Sequence, residues 1–471
     1  MDKVDGESRS GRLKCLELEL SPFTWFVGFT EMLKLQYRQL FTTTVAKAAA
    51  PARGKAQGFA KKASGNRAGA KRITNDTLYK NWSDTVSFSK LNQYALPTEI
   101  PTFNTTELAS CMNKVSSYSN KHYRSLYHLG SFHKNQFNEL FPKPVSLIRK
   151  DSTGKLISLL KTGGHRTFVL TGEPGVGKST LLAQLHAFGC DSNNIIIHIS
   201  YPELFLNGRS DFFYDDKLKE YVQPMYMKKL LRKILKSNDE NILRSLKLIS
   251  DYKFPNADPK DSAIKKHISL VKGQNTLFDL LSIKTLGRNR GELFKAVISE
   301  LAGQKNHPVL FTVDNFSRIL TGPVTSYKDA NNKNISIFEF QLGKTILEIV
   351  SGEICFPNKN SACVLAISGV DRTNRTLPVG LGKIPEDVYI KRYHYDPQMA
   401  EILKKGKVQE FEVPKLTKDE VRELMEFYFK SEILLESDSQ NNLDKLTDEK
   451  YFLSGNGNPR DLLKSIVLMH T

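Results

Sequence analysis

The most constraining feature of this chain is a short apolar run that leads through a glycine-rich segment into a helical pattern. Residues 167–180 read TFVLTGEPGVGKST. Gly172, Gly175 and Gly177 permit positive φ angles and close approach of the backbone, so several N–H groups can point inward at an anion. The pattern predicts a phosphate-binding loop between a buried strand and a helix.

The side chains of this segment have distinct expected roles. Lys178 carries a mobile positive charge toward β and γ phosphates, and the Ser179 hydroxyl at the helix start can bind Mg²⁺. The helix dipole adds to the attraction for an anion. The predicted nucleotide-binding residues are Gly172, Glu173, Pro174, Gly175, Val176, Gly177, Lys178, Ser179, Thr180 and Arg460.

Two further apolar runs end in polar residues. The run 307–314, HPVLFTVD, ends in Asp314, which we expect to bind the metal together with Ser179. Many ATPases place a glutamate after this acid, whereas Asn315 can orient a water molecule but cannot take its proton. Ser368 ends the run 362–368, where it can lie between the water and the γ-phosphate. We therefore expect hydrolysis to be slow or absent.

The C-terminal part of the sequence predicts a helical lid. Residues 417–420, TKDE, form a capping-box pattern that opens an amphipathic helix. Residues 455–463, GNGNPRDLL, resemble a turn into another helix, with Pro459 in its first turn. Arg460 can reach back to phosphate, although a solvent-facing arginine on a capped helix is an equally good interpretation.

Length and composition set the remaining bounds. A chain of 471 residues with 40% apolar content can form two or three domains with a substantial core. No apolar stretch approaches the ~18 residues of a membrane span. The five cysteines are scattered without a C-x-x-C motif, which is typical of a reducing compartment.

The net charge of +18 is concentrated near the N-terminus. Residues 1–150 hold 23 Lys and Arg against 11 Asp and Glu, and residues 32–74 hold ten basic residues and no acid. This stretch resembles a mitochondrial targeting sequence, with translation starting at Met32. The alternative is an internal basic tail that binds nucleic acid.

Two other segments bear on partners. Residues 82–150 combine aromatic side chains with prolines and indicate an ordered arm leading to the nucleotide domain, its aromatics anchored on the protein or stacked on RNA bases. Residues 227–236, MKKLLRKILK, predict an amphipathic helix. Its basic face is either solvated or in contact with a phosphate backbone.

These features occur together and in order: the acid-free basic leader, an arm ending LIR at 147–149, GEPGVGKST, a strand ending VDN, and GNPRDLL. The combination resembles the death-associated protein three family over roughly residues 80–471. The resemblance implies a structural protein of the mitochondrial small ribosomal subunit that contacts ribosomal RNA and ribosomal proteins. It also implies a bound guanine nucleotide with Mg²⁺. The chain lacks an N-K-x-D guanine signature, since 358–361 read NKNS, so ATP would be accepted as readily as GTP.

We therefore expect an α/β fold: a three-layer P-loop NTPase domain of the AAA+-like type with a helical C-terminal subdomain and a basic N-terminal extension. The expected divisions are a leader at 1–75, an arm at 76–150, a nucleotide-binding domain at 151–410 and a lid at 411–471. The leading function is a mitochondrial matrix ribosomal protein that binds a purine nucleotide and has at most weak NTPase activity. The alternative is an active AAA+-like ATPase that remodels nucleic acid or a protein partner.

Overall fold

The computed structural model describes residues 75–467, apart from 88, 97–98, 135, 164–165, 258–265, 322–323, 369–373, 388, 390–393 and 435–442. The predicted leader, with its targeting or nucleic-acid role, lies outside the described residues. Residues Asp76–Val467 belong to one compact unit. No helix within the described ranges is long and apolar enough to cross a membrane.

The arm contains helices and two short strands that pair antiparallel. Its elements are α1 (Asn75–Ser87), α2 (Leu108–Cys111), β1 (Lys114–Ser116), α3 (Asn120–Leu129) and β2 (Ser146–Ile148). The elements that follow are α4 (Lys155–Thr162), β3 (Thr167–Thr171), α5 (Lys178–Asp191), β4 (Ile195–Ile199), α6 (Glu203–Leu206), β5 (Phe213–Asp215), β6 (Glu220–Val222), α7 (Pro224–Ser237), α8 (Glu240–Ser245), β7 (Tyr252–Pro255), β8 (His267–Leu270), α9 (Leu277–Ser282), α10 (Arg290–Gly303), β9 (Val309–Val313), α11 (Ser317–Thr321), β10 (Val324–Lys328), β11 (Asn334–Ser336), α12 (Gln341–Ser351), β12 (Ala362–Ala366), α13 (Thr376–Gly380), α14 (Pro397–Lys405) and β13 (Gln409–Glu412). The C-terminal helices are α15 (Lys418–Lys430), α16 (Leu443–Leu453) and α17 (Pro459–Val467).

A five-stranded parallel sheet organises the fold, in the order β13-β3-β12-β9-β4. Parallel strands are buried on both faces, which is why these runs are almost continuously apolar. All five residues of β3, β4, β9 and β12 are buried. The predicted α/β class with a mostly parallel sheet is confirmed.

Two apolar cores lie on opposite faces of the sheet, because successive side chains of a strand point to opposite sides. On β3, Val169 belongs to one core, and Phe168 and Leu170 belong to the other. Helices α7, α10 and α12 contribute to the first core. Helices α4 and α5 contribute to the second.

The arm completes the second core rather than standing away from the sheet. Phe103, Tyr123 and Phe132 are buried in it with residues of α5 and β3. Burying one such phenylalanine contributes about 1.5–3 kcal/mol. The Trp82 indole Nε1 donates to the Phe141 carbonyl at 2.8 Å, and the Tyr79 hydroxyl donates to the Phe132 carbonyl at 2.9 Å. These aromatic side chains anchor the arm on the protein itself, which is one of the two interpretations that the sequence allows.

The predicted C-terminal helices are present. The Thr417 hydroxyl caps α15 by accepting from the Glu420 backbone N–H, and the Glu420 carboxylate accepts from the Thr417 backbone N–H. This pair of bonds is the expected capping box. Helix α17 begins at Pro459, as predicted.

Candidate functional site

The glycine-rich segment forms a loop between β3 and α5. Strand β3 ends at Thr171, and α5 begins at Lys178. Gly172, Gly175 and Gly177 have φ angles of 128°, 91° and 96°. The loop thus has the strand–loop–helix context and the backbone conformation that the sequence predicts.

Gly175 also has a packing reason to lack a side chain. A Cβ atom there would lie 2.6 Å from Asn458 Oδ1 and 2.8 Å from Arg460 Cβ. Asn458 Nδ2 donates to the Pro174 carbonyl at 2.8 Å, and the Arg460 backbone N–H donates to the Gly175 carbonyl at 3.3 Å. The turn before α17 therefore clamps the loop from the C-terminal side.

Lys178 is positioned at this loop. Its side chain is buried, and Nζ donates to the carbonyls of Gly172 at 2.9 Å and Glu173 at 2.8 Å. The ammonium group therefore lies within the loop, close to the N-terminus of α5, whose dipole also favours an anion.

A cavity of about 550 Å³ lies against the loop. Nearly all of the predicted site residues line it: Pro174, Gly175, Val176, Gly177, Lys178, Ser179, Thr180, Asp314, Asn315, Ser368 and Arg460. Gly172 and Glu173 are outside this lining, and the Glu173 carboxylate pairs with Lys415 Nζ at 3.0 Å. Residues separated by up to 286 positions in the sequence thus meet at one cavity.

Asp314 and Ser368 reach the cavity from neighbouring strands. Asp314 follows β9 and is 2% exposed, and Ser368 follows β12. Asn315 has a φ of 52°, a left-handed conformation that asparagine tolerates better than most residues. Its backbone N–H donates to Asp314 Oδ1 at 2.9 Å.

The arm forms a second wall of the cavity. The lining includes Ser131, Phe132, His133, Lys134, Gln136, Phe137, Asn138, Leu140 and Phe141. His133 Nε2 lies 3.2 Å from Asp314 Oδ2, with both side chains buried. Burial lowers the pKa of His133, and the nearby charge of Lys233 lowers it further. The Asp314 carboxylate acts in the opposite direction and raises it. No motif surrounds His133, so no signal in the sequence identifies it.

Beneath this wall lies a buried polar network. The Ser131 hydroxyl bonds to His186 Nδ1 at 2.8 Å, and the Thr312 hydroxyl lies 2.8 Å from both His186 Nε2 and His198 Nδ1. Burial lowers the pKa of His186 to about 3. Lys233 Nζ donates to the His198 carbonyl at 2.9 Å, and burial of this amine lowers its pKa to about 7. The Lys233 amine thus bonds inside the protein and is not part of a solvated basic face of α7. Part of its side chain remains exposed.

Within the described ranges, no group of three or more His, Cys, Asp or Glu side chains is arranged to hold a metal ion. The cavity instead combines one buried carboxylate, hydroxyl groups, a lysine amine and the N-terminus of a helix. Such a set can bind an oxyanion, and its carboxylate can bind a cation that accompanies it.

The fold and the cavity define a parallel α/β protein with a glycine-rich loop at the carboxyl edge of its sheet. The chain belongs to the mitochondrial ribosomal death-associated protein 3 family, whose sequence model matches residues 146–465. The family resemblance and the mitochondrial location predicted from the sequence are thereby confirmed.

Two curated relatives are both described as small ribosomal subunit protein mS29. The protein from Schizosaccharomyces pombe is 25% identical over 337 residues, which is 70% of this chain and 66% of the relative. The protein from Neurospora crassa is 22% identical over 344 residues, 69% of this chain and 68% of the relative. The chain thus spans about two thirds of the length of these relatives.

Proposed function

We propose that this chain is a structural protein of the mitochondrial small ribosomal subunit and that it binds a purine nucleotide with Mg²⁺ as a folding or assembly element. Its partners would be small-subunit ribosomal RNA and ribosomal proteins. The family membership and the names of both fungal relatives support the ribosomal part.

One observation carries the nucleotide part: Lys178, Ser179 and Asp314 line the same cavity beside the glycine-rich loop. The sheet order also supports a P-loop NTPase domain of the AAA+-like type. The loop strand β3 is separated from the acid-ending strand β9 by one inserted strand, β12.

The residues present fit a triphosphate with its metal. Gly175 is packed so closely that a Cβ would meet Asn458, and the cavity of about 550 Å³ beside the loop has the size of typical ligand pockets. Magnesium in nucleotide sites takes one or two protein ligands and completes its shell with phosphate and water. Ser179 and Asp314 can supply those ligands, and Lys178 can offset phosphate charge.

Hydrolysis is proposed to be slow or absent. Asn315 lines the cavity directly after Asp314, and its amide cannot accept a proton from water. The nucleotide would then act by stabilising the fold rather than by turnover. Both GTP and ATP remain candidates for the purine ligand, and only the family resemblance favours GTP.

Binding of the nucleotide is tested by isothermal titration calorimetry with GTP and with ATP in MgCl₂. Lys178→Ala should abolish binding, while Lys404→Ala, an exposed lysine on α14, should leave it unchanged. Nucleotide at 100 times its Kd should stabilise the wild type by about 2.7 kcal/mol. Full retention of nucleotide by Lys178→Ala would refute the assignment of the loop.

The ribosomal part is tested separately by sedimentation of a mitochondrial lysate in magnesium. We expect the chain to sediment with the small subunit, and Lys178→Ala to shift part of it to the top of the gradient. A wild-type chain that never sediments with the subunit would contradict the ribosomal proposal, whatever its nucleotide affinity.

A further inference from the structure

His133 is the arm residue that lies nearest to the strand-end acid. Its Nε2 atom is 3.2 Å from Asp314 Oδ2, but the arrangement is not that of a hydrogen bond. Within the described part of the chain, this buried Nε2 has no hydrogen-bond partner. A buried polar group without a partner costs about 1–3 kcal/mol, so its position requires an explanation.

The surrounding contacts fix His133 from both sides. Its ring lies 4.4 Å from the Tyr201 ring, between centroids. Two residues earlier, the Ser131 hydroxyl bonds to His186, which bonds in turn to Thr312. Thr312 and Asp314 lie two residues apart at the end of β9. The arm therefore approaches the same strand end at two points: Ser131 reaches Thr312 through His186, and His133 Nε2 lies 3.2 Å from Asp314 Oδ2.

His133 lies outside the segment that the family model matches. The family match begins at residue 146, and His133 precedes it.

We propose that His133 is a positioning residue of the nucleotide site: it orients the Asp314 carboxylate, and so makes magnesium-dependent nucleotide binding and the packing of arm residues 131–141 depend on each other. The inference rests on the proposed function, because it requires a nucleotide with Mg²⁺ in the cavity. It adds a residue that touches the carboxylate and is not itself a ligand.

Two physical arguments support this role. Partners that orient a metal-binding group change metal affinity about 10–100-fold when they are removed. Coupling between two sites is also reciprocal, so whatever the arm contributes to ligand binding, the ligand returns to the stability of the arm. His133 is the point where the arm meets the carboxylate, and it is therefore the place where that coupling can be cut.

The test compares His133→Ala with His122→Ala. His122 is a matched control, because it is also a buried arm histidine paired with an aspartate, with Nε2 2.6 Å from Asp191 Oδ1, and it does not line the cavity. The first measurement is the affinity for GTP and ATP in MgCl₂ and in EDTA, from which the gain due to magnesium is obtained. The second is hydrogen exchange of arm residues 131–141 with and without nucleotide and MgCl₂.

We expect magnesium to raise the affinity of the wild type and to protect the arm. His133→Ala should reduce the magnesium gain about tenfold or more and abolish the added protection. His122→Ala should retain both. His133→Gln places an amide nitrogen near the position of Nε2 and should restore part of the gain. Should His133→Ala fail to fold, the comparison of His133→Gln with His133→Asn, whose shorter side chain cannot reach, gives the same information.

A full magnesium gain in His133→Ala, or an equal loss in His122→Ala, would overturn this inference and leave the proposed function intact. A wild type that binds nucleotide with no gain from magnesium would overturn it as well. If the wild type binds neither GTP nor ATP, the proposed nucleotide function fails, and the role of His133 fails with it.

Discussion

The two walls of the cavity are built in different ways. The loop wall consists of the segment 174–180 and the strand ends at Asp314 and Ser368, which a local pattern of glycines, a lysine and apolar runs specifies. The arm wall consists of the cavity-lining residues between Ser131 and Arg149, which depend on contacts with distant parts of the chain. Arg149 shows the difference: its guanidinium donates to both carboxylate oxygens of Glu420 at 2.9 Å, across 271 positions of sequence.

The comparison separates two kinds of consequence. On the loop wall, the glycine-rich segment and the side chains of Lys178, Ser179 and Asp314 line the cavity, so substitutions there should act mainly on ligand binding. On the arm wall, Ser131 and Arg149 are buried and bond to distant parts of the chain, so substitutions there should act mainly on folding. His133 is the residue at which the two kinds of effect meet.

The largest effect is expected at Arg149. Arg149→Ala leaves Glu420 buried without its partner, and breaking a buried ion pair in this way costs about 3–5 kcal/mol. Denaturant unfolding measures the loss. Arg422 lies on α15 with Glu420 but forms an exposed pair with Asp444. Arg422→Ala should therefore cost no more than about 1 kcal/mol. Equal losses in the two variants would contradict the distinction between the walls.

Gly175→Ala should give the next largest effect, now on the loop wall. A Cβ at this position meets Asn458 and Arg460 and also strains a φ of 91°, for a total of about 2–4 kcal/mol. Nucleotide affinity should fall by at least tenfold. Gly352→Ala is the control, because its φ of 81° is similar and no atom lies within 4 Å of its Cβ position. If both variants bind nucleotide as the wild type does, the clamp on the loop has no role in binding.

The pH dependence of protein stability tests the role of Lys233 in the buried network under the arm wall. Burial lowers its pKa to about 7, far below that of the unfolded chain, so the unfolded state binds the proton more tightly. This residue therefore makes the protein more stable as pH rises from 7 toward 9, by up to about 1.4 kcal/mol per pH unit.

Lys233→Met should remove that rise, and its gain over the wild type should be greatest at pH 7. Urea unfolding at pH 7 and pH 9 measures the difference. Lys229→Met, an exposed position on α7, serves as the control. A pH dependence that is identical in the wild type and Lys233→Met would show that the amine does not titrate in this window.

The smallest effect is expected at Asn315. Asn315→Glu introduces a carboxylate that can accept a proton from water, but its φ of 52° disfavours glutamate and limits the alignment. We expect a wild-type turnover below about 1 s⁻¹ and a gain of about tenfold, or 1.4 kcal/mol in the barrier. Asn315→Gln has the same length without the carboxylate and should show no gain. A rate in Asn315→Glu no higher than in Asn315→Gln would leave slow turnover without its proposed cause.

Much of the fold and of the loop wall could be predicted from the sequence. The strand before Gly172, the helix from Lys178, the acid after β9 and the capping box at Thr417 are all local patterns, and the structure contains each of them. The proximity of the glycine-rich loop and the acid after β9 also follows from the topology, because the carboxyl ends of parallel strands lie at one edge of the sheet.

The arm wall could not be predicted in this way. His133 and Asp314 are 181 positions apart, and neither neighbourhood indicates the other. Glu420 reads as a capping residue, and nothing in its local sequence reveals that its carboxylate also receives Arg149. Strand β13 has four residues, of which three are polar, so its place beside β3 is set by pairing rather than by pattern.

The clamp on the glycine-rich loop has a consequence for biogenesis. Asn458 Nδ2 holds the Pro174 carbonyl, and 284 positions of sequence separate the two residues. During synthesis the loop is therefore made long before the segment that holds it. The loop can be clamped only after Asn458 has been synthesised. A product interrupted before residue 458 would contain the whole glycine-rich motif and lack its clamp. A ligand that requires the clamped loop would therefore distinguish molecules that contain the segment around Asn458 from molecules truncated before it.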